Sequence, residues 1–144
     1  MTTTRPNETG CRGSEALTHG FRVTVVPTCM PEESGESASE AWRGRRYVFA
    51  YKIRISNEGT RRAKLLDRHW VIVDADGEKH EVRGEGVVGH QPDLAPGQAF
   101  EYASYCPLQT SWGTMEGEYT MVGEDGERFE IAIARFYLVA EELG

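Results

Sequence analysis

The stretch Tyr47-Val-Phe-Ala-Tyr-Lys-Ile-Arg-Ile-Ser-Asn57 decides the fold class. In an extended chain Tyr47, Phe49, Tyr51, Ile53 and Ile55 fall on one face, and Val48, Ala50, Lys52, Arg54 and Ser56 fall on the other. Successive side chains of a strand point to opposite sides of a sheet. A period of two held over this length therefore predicts a strand buried on one face, in an antiparallel sheet that packs against a second layer. Asn57-Glu-Gly59 ends the pattern.

Outward from this strand the same signals recur. Phe21-Arg-Val-Thr-Val-Val26 alternates up to Pro27. Lys64 to Asp74 places His69, Val71 and Val73 opposite Trp70 and Ile72. Ala75-Asp-Gly77 predicts a hairpin turn, because Asp-Gly tolerates the positive φ such turns need, with Glu78 to Arg83 returning. Leu94-Ala-Pro-Gly97 turns into a strand from Ala99 to Cys106, and Thr114–Val122 and Arg128–Val139 flank Glu124-Asp-Gly126. No stretch carries a capped 3.6-residue apolar period. The expectation is an all-β domain, sandwich or barrel. Gly117-Glu-Tyr119 favours a two-sheet sandwich, since it matches a tyrosine corner in which the phenol hydrogen-bonds backbone; an ordinary core tyrosine is the competing reading.

A chain of 144 residues fits one domain. Residues 1–20 are Thr-rich and polar, and the expectation is a disordered tail over 1–20 followed by the sandwich over 21–144. The net charge of −7 argues against nonspecific nucleic-acid binding. Between Arg43 and Arg68, however, there are nine Lys and Arg against Glu58 and Asp67 alone, which reads as solvated strand faces or as a basic patch for an anionic partner. No apolar run approaches the ~20 residues of a membrane helix. The N-terminus has no secretory h-region, so a cytoplasmic protein is expected. Cys11, Cys29 and Cys106, odd in number and widely spaced, predict reduced thiols rather than a disulfide framework. Lys52 and Arg54 are charges of the sort that blunt an exposed sheet edge, and the oligomeric state stays open.

The run Arg83-Gly-Glu-Gly-Val-Val-Gly89 contains G-x-G-x-x-G. A dinucleotide site needs those glycines to open a helix. Pro92 and Pro96 follow, no βαβ unit surrounds the run, and the dinucleotide reading fails. A smaller reading remains: Arg83, Gly84, Gly86, Val87, Val88 and Gly89 as a phosphate-binding concavity of backbone amides beside one cation. The competing reading is a tight connection whose glycines supply unusual φ angles. His19, His69, His80 and His90 show no ligand spacing, so neither metal nor cofactor is expected. Cys106 precedes Pro107 with no identifiable base, and Ser104 lacks a nucleophile context, so no catalytic residues are assigned.

Read together, Arg46-Tyr-Val-Phe-Ala-Tyr51, Leu65-Leu-Asp-Arg-His-Trp70, Val82-Arg-Gly-Glu-Gly-Val-Val-Gly89, Leu94-Ala-Pro-Gly97, Cys106-Pro-Leu108 and Gly113-Thr-Met-Glu-Gly-Glu-Tyr119 resemble the ApaG family, also called CorD, from about Phe21 to Val139. The resemblance implies an immunoglobulin- or fibronectin-III-like sandwich and a glycine loop discussed as a phosphate or pyrophosphate site. It also implies a non-enzymatic module that recognises a protein partner, as ApaG-like domains appended to eukaryotic proteins do. Arg68, His69, Trp70, Tyr105 and Trp112 are the partner-binding candidates. A role in cobalt and magnesium homeostasis and an enzyme acting on phosphate esters are the alternatives. The sequence departs from the family pattern in a longer acidic loop before Tyr47, in Tyr105 where glycine is common, and in Ser111 where the pattern has proline.

Overall fold

A computed structural model describes residues 11–28 and 47–140. Among the described residues nine strands follow one another: β1 (Ser14–Thr18), β2 (Phe21–Pro27), β3 (Tyr47–Asn57), β4 (Ala63–Asp74), β5 (Lys79–Glu85), β6 (Asp93–Leu94), β7 (Ala99–Leu108), β8 (Trp112–Gly123) and β9 (Arg128–Val139). They form two antiparallel sheets, β1-β2-β3-β7 and β5-β4-β8-β9, with the short β6 pairing β4. No helix among the described residues is long and apolar enough to cross a membrane. The molecule is the all-β sandwich expected, and it is not closed into a barrel.

The core is what one-sided burial dictates. From β2 and β3 come Val23, Val25, Phe49, Tyr51, Ile53 and Ile55; from the opposite sheet come Leu65, Met115, Met121, Ile131, Phe136 and Leu138, all buried. Each such side chain stabilises the fold by roughly 1.5–3 kcal/mol relative to exposure. Lys52 and Arg54 lie on the solvent face of β3, as the alternation predicted. That strand is not an edge, because β2 and β7 pair it on either side. Edge protection is therefore not what these two charges do.

The boundary at Phe21 needs correction. Ser14–Thr18 pairs in full register with Phe21–Val25, and His19 (φ +52°) and Gly20 (φ +84°) make the two-residue turn that joins them. Positive φ at both turn positions matches the right-handed twist of a hairpin. The strand escapes sequence patterning because main-chain bonds hold it, while its Leu17 stays exposed. It also ties the sheets together. Ser14 Oγ donates to the Ala134 carbonyl (2.7 Å), and Arg12 and Tyr137 exchange backbone hydrogen bonds at 3.2 and 2.9 Å. Residues 1–10 lie outside the described part of the chain.

Two irregularities set the direction of side chains. A register shift between Leu65 and Asp67 in β4 lets Leu65 and Trp70 both point inward despite their odd and even numbers. A second shift in the β8–β9 pairing, between Met115 and Gly117, lets Ile133 and Phe136 do the same. An extra residue in one strand of a ladder reverses the alternation beyond it.

Candidate functional site: a cleft between sheet edges

One long side of the sandwich is pinned by β1 and β9, and the other is open. There, among the described residues, β5 has only β4 as neighbour and β7 has only β3. Between these edges lies a cleft of about 530 Å³, floored by Arg68, Trp70 and Ile72 and walled by Val82, Cys106 and Leu108. Tyr105 and Val82, 48% and 40% exposed, stand at its rims.

Arg68 is the charged group of the cleft floor. Its Nη1 donates to the carbonyls of Glu85 and Gly86, both at 2.9 Å. Gly84 sits opposite it in the ladder. A Cβ on Gly84 would lie 2.7, 2.8 and 2.9 Å from Nη2, Cζ and Nη1, so the guanidinium lies flat against this glycine. Among the described residues Arg68 has no carboxylate partner. Burial pushes the Tyr51 phenol in the same cleft up to about 12, opposed by its hydrogen bond with Ser104 and by the charge of Arg68.

Behind Arg68 the sheets are joined by two phenols. Tyr102 of β7 and Tyr119 of β8 share a hydrogen bond of 2.6 Å between their hydroxyls, in buried surroundings. Burial holds both well above the usual phenol range. The expected tyrosine corner is therefore corrected: the hydroxyl of Tyr119 meets another side chain across the sandwich, not the backbone of its own corner.

The glycine loop is built differently from an amide cradle. The Gly86 amide donates to the Leu66 carbonyl (2.8 Å), and Val87 and His90 exchange backbone bonds at 2.8 and 2.9 Å. Val88 (φ +42°) and Gly89 (φ +84°) are the two turn residues between them. Gly86 has φ +64°, and a Cβ there would come within 2.4 Å of the His90 carbonyl oxygen. Val87 is buried in the core. Among the described residues only the amides of Val88 and Gly89 in this turn lack a partner. Arg83 does not flank the loop as its cation; it pairs in register with His69 and lies 3.9 Å from Glu81 on the outer face. Arg68 is the cation that touches the loop, and it touches carbonyls.

The five candidate partner residues do not form one surface. Arg68, Trp70 and Tyr105 line the cleft, although Trp70 is 4% exposed and packs on Tyr51 and Phe136. His69 faces the other way, with Nδ1 2.7 Å from Glu118 and Nε2 3.0 Å from Glu81. These two carboxylates raise the His69 pKa, Glu81 contributing more, and His69 in turn lowers that of Glu81. Trp112 is exposed at the start of β8, in register with Val139, and does not line the cleft.

Sequence reasoning missed the polar end of the cleft. The β4–β5 hairpin folds His80 back so that one donor atom each from Asp74, Glu78 and His80 lie within 4.8 Å of one another. Asp74 Oδ1 already accepts from the amides of Asp76 (2.9 Å) and Glu78 (3.0 Å), which is the turn-forming work its position before Ala75-Asp-Gly77 predicts. What the trio offers a cation is thus incomplete.

The ApaG domain family model matches residues 37–123. The Anaeromyxobacter dehalogenans (strain 2CP-C) Protein ApaG is 48% identical over 126 residues, covering 88% of this chain and 94% of that protein. The Methylobacterium sp. (strain 4-46) Protein ApaG is 52% identical over 124 residues, covering 86% and 91%. A Bordetella pertussis crystal structure described as an ApaA protein superposes with a TM-score of 0.75 at 46% identity, covering 89% of this chain and 99% of that one. With the sandwich, the glycine loop and these matches together, the chain belongs to the ApaG family.

Proposed function

We propose that this domain is a non-enzymatic binding module that docks a protein partner along its open β5–β7 side. The observation that supports it is a pair of strand edges, unpartnered among the described residues, with a cleft of mixed apolar and charged lining between them. An unpaired edge offers main-chain donors and acceptors to an incoming strand, and pockets beside it read alternate side chains. Along β5, Lys79, His80, Glu81, Arg83 and Glu85 supply the charges that discourage indiscriminate edge pairing, so such docking is selective. The pyrophosphate reading of the glycine loop narrows to the amides of Val88 and Gly89. Its support is the anion affinity of paired amides alone, without Arg83.

A photo-crosslinking amino acid placed at Tyr105, at Val82 and, as control, at Glu130 on β9 tests the docking surface in living cells. The expected result is a discrete adduct with the same protein from Tyr105 and Val82 and none from Glu130. Adducts equal at all three positions, or confined to Glu130, refute docking at the cleft.

A further inference from the structure

We infer that the cleft is built for a peptide C-terminus, with the terminal carboxylate on Arg68 and a basic residue about six positions upstream at the Asp74–Glu78 end. This rests on the partner-docking reading and specifies its ligand.

The cleft is electrically asymmetric. At one end Arg68 uses Nη1 for both of its hydrogen bonds, to Glu85 and Gly86. Gly84 meets the face of the guanidinium rather than an edge, and among the described residues Nε and Nη2 have no acceptor. The Nε–Nη2 edge of a guanidinium matches the two oxygens of a carboxylate, and a planar fork is pre-organised for that pair. Two bonds to the loop hold Arg68 in place before any ligand arrives, so little side-chain entropy is left to lose. At the other end stand Asp74, Glu78 and His80. Trp70, Ile72, Val82 and Leu108 separate the two ends with apolar surface.

The dimensions fit an extended chain. Arg68 and Asp74 are six residues apart on one strand, roughly 20 Å at about 3.3 Å per residue. A peptide running alongside has the same rise, which places a lysine or arginine six positions before its end against the acids. The cleft stops at Arg68. Beyond it lie the buried Tyr102–Tyr119 pair and the buried Val87, none of which lines the cleft. A continuing chain has nowhere to go there, whereas a chain end does. That is the reason to assign a terminal carboxylate rather than an acidic side chain within a longer segment.

The test uses the full-length protein labelled with nitrogen-15 and a pool of synthetic heptapeptides. Lysine stands first, threonine and apolar residues alternate, and leucine or valine stands last. One pool is made as free acids and an otherwise identical pool as carboxamides. The free acids are expected to shift the amides of His80 to Val82, of Ser104 to Cys106 and of Leu108 and the Trp70 indole, and the carboxamides to bind at least about tenfold more weakly. Arg68→Gln is expected to abolish that difference. Because Arg68 also anchors the glycine loop, Val82→Glu serves as a second variant; it leaves the anchor untouched and is expected to weaken binding of the free acids. Equal binding of acids and carboxamides at the cleft overturns the C-terminus assignment while leaving the docking reading standing. No shift at the cleft, or shifts confined to the glycine loop or the outer face, overturns the inference outright, and the crosslinking result then decides the docking reading alone.

Discussion

Replacing Tyr102 by Phe is expected to destabilise the fold more than replacing Tyr119, although Tyr119 is the more deeply buried of the two. Their hydroxyls are each other's partners at 2.6 Å. Removing one leaves the other unpaired, and the size of the effect depends on the environment of the survivor. In Tyr102→Phe the survivor is Tyr119, with no exposed surface. Its hydroxyl then bears nearly the full desolvation penalty of an orphaned group, about 2–3 kcal/mol. In Tyr119→Phe the survivor is Tyr102, 9% exposed and able to recruit water, which brings the loss to about 1 kcal/mol. The double variant removes both hydroxyls and orphans neither, so it is expected to lose less than Tyr102→Phe alone. The coupling between the two positions is then strongly non-additive, as contacting residues allow. Urea unfolding of the four proteins reads this out as midpoint changes at constant slope. Equal losses in the two single variants, or a double variant equal to their sum, would falsify the claim that the phenols satisfy one another.

The glycine loop yields a ranked series by the same assay. Gly86→Ala is expected to be the worst, about 2–4 kcal/mol, since it combines positive φ with a main-chain oxygen 2.4 Å from the new Cβ. Gly89→Ala, positive in φ but open to space, is expected to lose about 1–2 kcal/mol, and an order reversed between these two would remove the steric account. His69 gives a pH dependence with a definite sign. Its folded pKa lies above the ordinary 6.5 because Glu81 and Glu118 hold the protonated ring, so its stabilisation is complete below that value and is lost as pH rises through the folded pKa. His69→Gln should therefore lower the urea midpoint at about pH 6 and change it far less at about pH 9; a deficit independent of pH would mean that the imidazolium contributes nothing.

How much of this was legible beforehand follows from which interactions leave a trace in residue order. Strand β3 was readable because burial on one side writes a period of two into the side chains. Strand β1 was not, because its main-chain bonds to β2 are indifferent to side-chain identity and its ties to β9 run through the hydroxyls of Ser14 and Thr18, which leave no apolar period. The Asp-Gly and Leu-Ala-Pro-Gly turns were readable for a local reason, since Gly77 and Gly97 sit at φ +85° and +90°. The tyrosine pattern was seen and its partner was not. Tyr102 and Tyr119 meet across the sandwich, and no local spacing encodes which residue of the facing sheet lies opposite.

The misplaced cation shows the same limit at the candidate site. Counting outward from the inward-facing Leu65, strict alternation puts Asp67 and His69 inside the sandwich and Arg68 and Trp70 outside. The shift between Leu65 and Asp67 reverses that order, turning Trp70 into the core and Arg68 into the cleft while His69 goes to the solvent face. Arg83, adjacent to the glycines in sequence, follows His69 outward because the two are register partners. Adjacency in the chain thus pointed to the wrong arginine, and one bulge decided the matter. The glycines themselves answer to the arginine that the bulge turns inward: Gly84 makes room for its guanidinium, and the carbonyls of Glu85 and Gly86 receive it. A run whose spacing resembles a phosphate motif is in this fold the seat of a side chain, whose charge is bonded to the loop's carbonyls on one side and lines the cleft on the other.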